Sequence, residues 1–300
     1  MSFNDDAKID SSRVRTSRGR GGKVAIGGGG LLVLVVAALL GINPQMLEDL
    51  GLAGDTGQTQ DGETSQGVSQ CTTGKDANRD ASCRIAATAQ SLDAFWVPYL
   101  GDRGVQLENP GVEIFSSSVS TGCGNATTAV GPFYCPSDQV AYFDTGFFSE
   151  LRDTYGSDGG PLAEEYVVAH EYGHHVQNAI GTLSASQKGG TGPTSGSVRV
   201  ELQADCFAGL WASHATQTQD ASGQPLLEPL TQQDLRSALS AASAVGDDRI
   251  QKASSGRVSP EGWTHGSSKQ RQAWFMSGYS SGDINRCNTL EAKDLDHPSS

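Results

Sequence analysis

The chain has 300 residues, a formal net charge of −13, 36% hydrophobic residues and 38 glycines. Its length allows two small domains or one larger one with appendages, and the glycine content predicts long flexible parts. An acidic body excludes nucleic-acid binding, which wants a basic surface.

The charge is divided unequally. Residues 1–23 carry Lys8, Arg13, Arg15, Arg18, Arg20 and Lys23 against Asp5, Asp6 and Asp10, a net +3 that leaves about −16 for the remainder. Val24 to Ile42 follows, an uncharged run dominated by Leu, Val, Ala, Ile and Gly. At about 1.5 Å per residue such a helix just spans a bilayer core of ~30 Å. Basic flanks stay in the cytoplasm. The sequence therefore predicts a cytoplasmic basic tail over 1–23, one transmembrane helix over 24–42 and the remainder outside. A cleaved signal peptide is the competing reading. The long basic segment before the apolar run, and the lack of an Ala-x-Ala site after it, favour an uncleaved anchor.

Residues 43–70 are rich in Gly, Gln, Asp, Thr and Ser. They bury too little apolar surface to offset chain entropy and read as a disordered linker. The expected localisation is the cell membrane, single-pass, with an extracytoplasmic domain over 71–300. Cys71, Cys83, Cys123, Cys135, Cys206 and Cys287 form an even set, which outside the cytoplasm suggests disulfides. Six cysteines allow fifteen pairings, and the sequence alone does not settle them. The local pairs Cys71–Cys83 and Cys123–Cys135 are expected because each closes a short loop of Gly, Asp, Asn or Thr, which leaves Cys206 for Cys287. Zinc binding by these cysteines lacks any C-x-x-C spacing.

Within 71–300, Ser82 to Tyr99 predicts an opening helix stopped near Pro98. Val112 to Val119 and Val140 to Asp144 alternate as strands, Phe133-Tyr134 between them reads as a third, and Phe147 to Tyr155 reads as a helix. The next helix carries the most informative stretch, His170-Glu171-Tyr172-Gly173-His174. Leu162, Tyr166, Ala169, Gly173, Val176 and Ile180 recur at helical steps, and Pro161 suits a first turn. Residues four apart share a helix face, so His170 and His174 can both reach one Zn²⁺ at ~2.0–2.1 Å. Glu171, about 100° round the helix, is placed to reach a water on the metal. This is the HExxH pattern of zinc peptidases.

A catalytic zinc needs a third ligand. The metzincin extension fails, since Gln177 and Ile180 stand where Gly and His are required. Val200 to Gly209 is a second helical pattern in which Glu201 and Asp205 share a face. Glu201 can bind the metal, and Asp205 can accept the free ring N–H of a ligating histidine. Glu164, Glu165 and His214 are weaker candidates. Leu230 to Val245 reads as a further helix with Thr231 as N-cap. His265, in a glycine-flanked loop, is the candidate donor to an oxyanion, with a capping or core role as the alternative. Asp247-Asp248 can bind a structural cation, pair with Arg249 or Arg271, or hold His265, and a surface or salt-bridge role is favoured over a catalytic one. Trp263, Trp274 and Phe275 are expected in the core.

HExxH followed by Glu-x-x-Ala-Asp resembles the gluzincin pattern, in which a glutamate on a second helix is the third ligand. More closely, the chain resembles the bacterial neutral zinc metallopeptidase family. The likeness rests on Thr121-Gly122-Cys123-Gly124, Gly131 to Pro136, His170 to Asn178, Glu201 to Gly209, Gly246 to Gln251 and Thr264 to Ser268. Gln270, Arg271 and Trp274-Phe275 extend it, and it covers roughly residues 85–287. It implies an α+β, zincin-like metallopeptidase domain with a small sheet and metal-bearing helices, here preceded by the one transmembrane helix. The expected function is a membrane-anchored, zinc-dependent endopeptidase acting on a polypeptide substrate, with His170, His174 and Glu201 on Zn²⁺ and Glu171 as general base. A catalytically inactive, metal-stabilised extracytoplasmic binding protein is the second reading. The presence of Glu171 favours the first, because holding zinc does not require it.

Overall fold

The computed structural model describes residues 1–18 and 66–298. They form an α+β domain with a small mixed sheet. Its strands are β1 (Val14–Arg18), β2 (Gln66–Gly67), β3 (Gly111–Ser116), β6 (Phe133–Cys135) and β7 (Val140–Phe143), in the spatial order β2-β1-β3-β7-β6. The β1–β3 and β3–β7 pairs are parallel, with Val14 opposite Val112 and Ile114 opposite Phe143. The two edges run antiparallel, and Phe133 faces Tyr142 at the β6 edge. A separate hairpin, β4 (Ser118–Thr121) with β5 (Gly124–Thr127), sets Val119 against Ala126. Strand alternation sends Val112, Ile114, Ala141 and Phe143 into the main core with the helices. Phe115, Phe133 and Tyr142 point instead into a smaller cluster with Val119 and Ala126.

The helices are α1 (Gly74–Arg79), α2 (Ala81–Gly101), α3 (Gly146–Asp153), α4 (Pro161–Ile180), α5 (Gly196–His214), α6 (Gln232–Ala244), α7 (Asp247–Ser255) and α8 (Ser268–Ser281). Their ends follow local chemistry. Pro161 opens α4, where a missing N–H costs nothing, and Gly181 closes it at φ 79°. Ser195 caps α5 by accepting from Val198 N–H. Thr231 with Asp234, and Ser267 with Gln270, form capping boxes on α6 and α8. Among the helices α1, α7 and α8 are not among those the sequence predicts, and among the strands β1, β2 and β5 are not.

Close backbone approach sets how α4, α5 and α8 lie together. A Cβ on Gly173 would stand 3.1 Å from the Ala204 backbone, which fixes the α4–α5 contact beside the two histidines. Between α5 and α8 the approach is tighter. A Cβ on Gly209 would lie 1.9 Å from the Phe275 carbonyl oxygen, and one on Gly278 would lie 1.9 Å from that of Cys206. Only glycine fits there. Three disulfides join Cys71–Cys83, Cys123–Cys135 and Cys206–Cys287, bonds that persist in oxidising compartments.

The membrane-anchored topology is corrected. Val24–Ile42 lies outside the described residues, as do 19–23 and 43–65. Among the described residues no helix is long and apolar enough to cross a membrane. The segment before the apolar run is built into the domain that follows it. β1 pairs along its whole length with β3, and Met1, Phe3, Ile9 and Val14 are buried in the main core. Arg13 donates to the Pro110 carbonyl and pairs with Asp93 at 2.5 Å. Asp93 in turn accepts from the Tyr172 hydroxyl of α4 at 2.9 Å. Strands joined by a backbone ladder lie on the same side of any bilayer, whereas one crossing at 24–42 would separate them. The transmembrane helix in the fold class, the single-pass membrane partner and the cell-membrane localisation therefore do not stand. The last residues of the expected linker belong to the domain as well, since β2 pairs with β1 and Val68 is buried.

Candidate metal centre

His170 and His174 project from α4, and Glu201 projects from α5. One ligand atom from each lies within 4.8 Å of the others, and all three residues are buried. Glu201 Oε2 is 3.1 Å from His170 Nε2, and its Oε1 is 3.5 Å from His174 Nε2. Two ligands on a tetrahedral zinc with bonds of ~2.0–2.1 Å stand roughly 3.3 Å apart. Both separations match that figure. The set contains two imidazole nitrogens and one carboxylate, which suits zinc with a position left over.

The remaining ring nitrogens are already committed. His170 Nδ1 lies 2.9 Å from Asp205 Oδ1. Asp205 is fully buried, and it accepts from Arg271 through Nε at 2.8 Å and Nη2 at 2.9 Å, and from the Tyr166 hydroxyl at 2.5 Å. His174 Nδ1 lies 2.8 Å from Gln177 Oε1. With both Nδ1 atoms facing acceptors, the Nε2 lone pairs are the ones left for a metal.

The electrostatics point the same way. Burial opposes a charge on His170, yet Asp205 and Glu201 raise it to about 10. Burial likewise opposes the charge on Glu201, but His174, His265 and His170 hold its carboxyl far below the usual range. Asp205, also desolvated, is held at about 2 by Arg271 and His170. The buried Glu201 carboxylate faces both imidazoles, and a divalent cation would fit the charge of that space. Glu171 differs from Glu201 and Asp205. Burial raises its carboxyl, it is 8% exposed, and among the described residues no hydrogen bond engages it.

His265 lies close enough to Glu201 for the two to shift each other. Burial disfavours its charged form, while Glu201 and Asp247 raise it. Its Nδ1 is 3.0 Å from Thr264 Oγ1 and 3.3 Å from Asp247 Oδ1. Asp247 Oδ2 also accepts the backbone N–H groups of Thr264, His265 and Gly266 at 2.7, 2.7 and 3.1 Å. Of the roles open to Asp247, the one seen is holding His265: it pairs with the ring and shapes its loop. Asp248 caps Ser268 instead. Glu164 pairs with Arg84 at 2.5 Å, Glu165 with the Met1 amino group at 3.2 Å, and His214 stacks on Phe95. All three are structural. Trp263, Trp274 and Phe275 are core residues as expected.

Gln177, Arg271 and Tyr166 touch the ligand set without having been singled out as part of it. Gln177 carried a readable signal, because it lies three residues after His174 on the same helical face. Tyr166, four before His170, carried the same signal. Arg271 had none of this kind, since it lies 66 residues from Asp205.

Residues 3–290 match the model of a family described as Putative neutral zinc metallopeptidase. The uncharacterized protein Rv2575 of Mycobacterium tuberculosis is 56% identical over 229 residues, covering 76% of this chain and 77% of the relative. The uncharacterized protein YpfJ of Escherichia coli K12 is 36% identical over 297 residues, or 96% of each chain. No solved structure matches the chain.

Proposed function

The chain belongs to the neutral zinc metallopeptidase family, and on that premise we propose that it is a zinc-dependent endopeptidase that hydrolyses peptide bonds in polypeptides. His170, His174 and Glu201 hold the ion. When bound, zinc supplies Lewis acidity, polarising a carbonyl and acidifying water toward ~7. Glu171 takes the proton that water loses as it attacks the carbonyl carbon, then gives it to the leaving amine. Its burial supports that role, because a carboxyl raised above its ordinary value is a stronger base toward the proton of the attacking water. His265, held through Nδ1 by Thr264 and Asp247, offers its other nitrogen to the developing oxyanion. Asp205 orients His170 and binds no substrate.

One observation carries the reading. Glu171 is a buried carboxyl that feels the charges of His170, His174 and Glu201, and no side-chain hydrogen bond engages it among the described residues. Holding a metal does not require such a group, whereas hydrolysis needs a base.

The test uses the full chain, with zinc content and casein cleavage measured together. Wild type should hold one zinc per chain and cleave. Glu171→Gln should keep the zinc and lose cleavage by about 10²-fold or more; full activity in that variant would remove Glu171 as the base. Glu201→Ala should fall well below one zinc per chain, and unchanged stoichiometry would mean that another group completes the set. Chelation should abolish cleavage in wild type and zinc should restore it.

A further inference from the structure

Behind His174 lies a chain of neutral amides whose direction is fixed at both ends. The carbonyl oxygens of Val200 and Cys287 can only accept. Gln177 Nε2 is 2.7 Å from Val200 O, so Oε1 is the Gln177 atom that meets His174 Nδ1 at 2.8 Å. An amide oxygen accepts as well, so Nδ1 carries the hydrogen and Nε2 the lone pair. Gln203 Nε2 donates to Cys287 O at 3.0 Å. Its Oε1 therefore accepts twice, from Gln177 Nε2 at 3.1 Å and Thr182 Oγ1 at 2.8 Å. Gln177 and Gln203 are both buried, and both amides are satisfied at each end. The far end is covalently held. Cys287 is bonded to Cys206, which lies one turn beyond Gln203 on the helix that also carries Glu201.

We propose that Gln177 and Gln203 are positioning residues for the metal. They form a neutral relay, anchored at Cys287 by the Cys206–Cys287 bridge, that holds His174 with Nδ1 protonated and Nε2 turned to the ion. The proposal rests on His174 being a ligand, and it names a control on metal retention that the ligand set itself does not contain. Two features of the relay matter chemically. It carries no charge, so it fixes the ring without raising its basicity as a carboxylate would. It also ties the ligand on α4 to the helix that supplies Glu201, so the two cannot drift apart independently.

The test is zinc affinity of the full chain by competition with a chromophoric chelator. Gln177→Met keeps the volume and removes every polar atom, and affinity should fall about 10–100-fold, the usual cost of losing a group that orients a ligand. Gln177→Glu keeps an acceptor for Nδ1–H and loses the donors to Val200 and Gln203. Its thermal midpoint should drop while zinc affinity stays within about threefold of wild type, because a carboxylate also orients a ligating imidazole. Equal losses in the two variants, or unchanged affinity in Gln177→Met, would reduce Gln177 to a packing residue and overturn the proposal. The anchor is tested by non-additivity. Cys206→Ala with Cys287→Ala should weaken zinc binding in wild type and add little to Gln203→Met; full additivity would detach the disulfide from the relay. A measurement on wild type guards against variants that do not fold. In the zinc-loaded protein, ¹⁵N spectra should show a proton on His174 Nδ1, and ligation through Nδ1 would overturn the relay. A wild-type chain that takes up no zinc at all would instead sink the metal-centre reading, which is a separate result.

Discussion

His170 and His174 face the same carboxylate but are held by opposite chemistry. Behind His170 stands a charged cluster in which Asp205 receives two bonds from Arg271 and one from Tyr166. Behind His174 stand neutral groups, two amides with the Thr182 hydroxyl and backbone carbonyls. The difference lies in how each support fails. A buried ion cluster is secure while complete, and losing one member leaves a charge without a partner, at a cost of about 3–5 kcal/mol. A neutral relay that loses one member leaves an unsatisfied polar group, which costs about 1–3 kcal/mol. The two sides also reach into different parts of the fold. The charged side depends on α8, near the end of the chain, while the neutral side closes on the disulfide.

The sharpest way to break this comparison is Arg271→Met. Asp205 would remain buried between His170 and Tyr166 without its cation, and stability to urea should fall by about 3–5 kcal/mol. A loss below about 1 kcal/mol would show that no ion cluster holds His170. A smaller and more selective effect is expected from Gly278→Ala. The new Cβ would lie 1.9 Å from the Cys206 carbonyl oxygen and 2.8 Å from Leu210 N. Both are backbone atoms, so α8 must retreat from α5, at about 1–3 kcal/mol. Arg271 moves with α8, whereas Gln177 and Gln203 lie on α4 and α5. The ring ¹⁵N signals of His170 should shift while those of His174 stay in place. Equal shifts in both rings would mean that the two supports are not separate.

The sequence carried the short-range half of this arrangement. His170, Glu171 and His174 are placed by helical period, Glu201 and Asp205 by the same rule, and Pro161, Thr231 and the local cysteine pairs by turn chemistry. What escaped it joins residues far apart in the chain. Asp205–Arg271 and Asp247–His265 depend on how α5, α7 and α8 stack, which no local period encodes. The N-terminal segment failed for a related reason. Val14–Arg18 is a strand because β3 offers it a parallel ladder, and its own five residues include one large apolar side chain. Beside an uncharged run, the arginines there read as a membrane flank, although Arg13 is spent on Asp93 and Pro110. Gln177 is legible by position, three residues beyond His174 on the same helical face, but its bonds to Val200 and Gln203 on α5 are not.

Thr182→Val probes the soft side at its weakest member and should give the smallest change. The hydroxyl of Thr182 supplies one of two hydrogen bonds to Gln203 Oε1, and Gln177 Nε2 supplies the other. Valine keeps the branched shape and removes the donor, so the oxygen retains one partner and no charge is stranded. Stability should fall by about 0.5–1.5 kcal/mol, the net worth of one neutral hydrogen bond, and zinc affinity by less than about threefold, since His174 Nδ1 keeps its own acceptor. Urea denaturation and chelator competition read the two separately. A stability loss equal to that of Arg271→Met would mean that the amide relay is as brittle as the ion cluster. Electrical neutrality would then no longer explain why the two imidazoles are supported so differently.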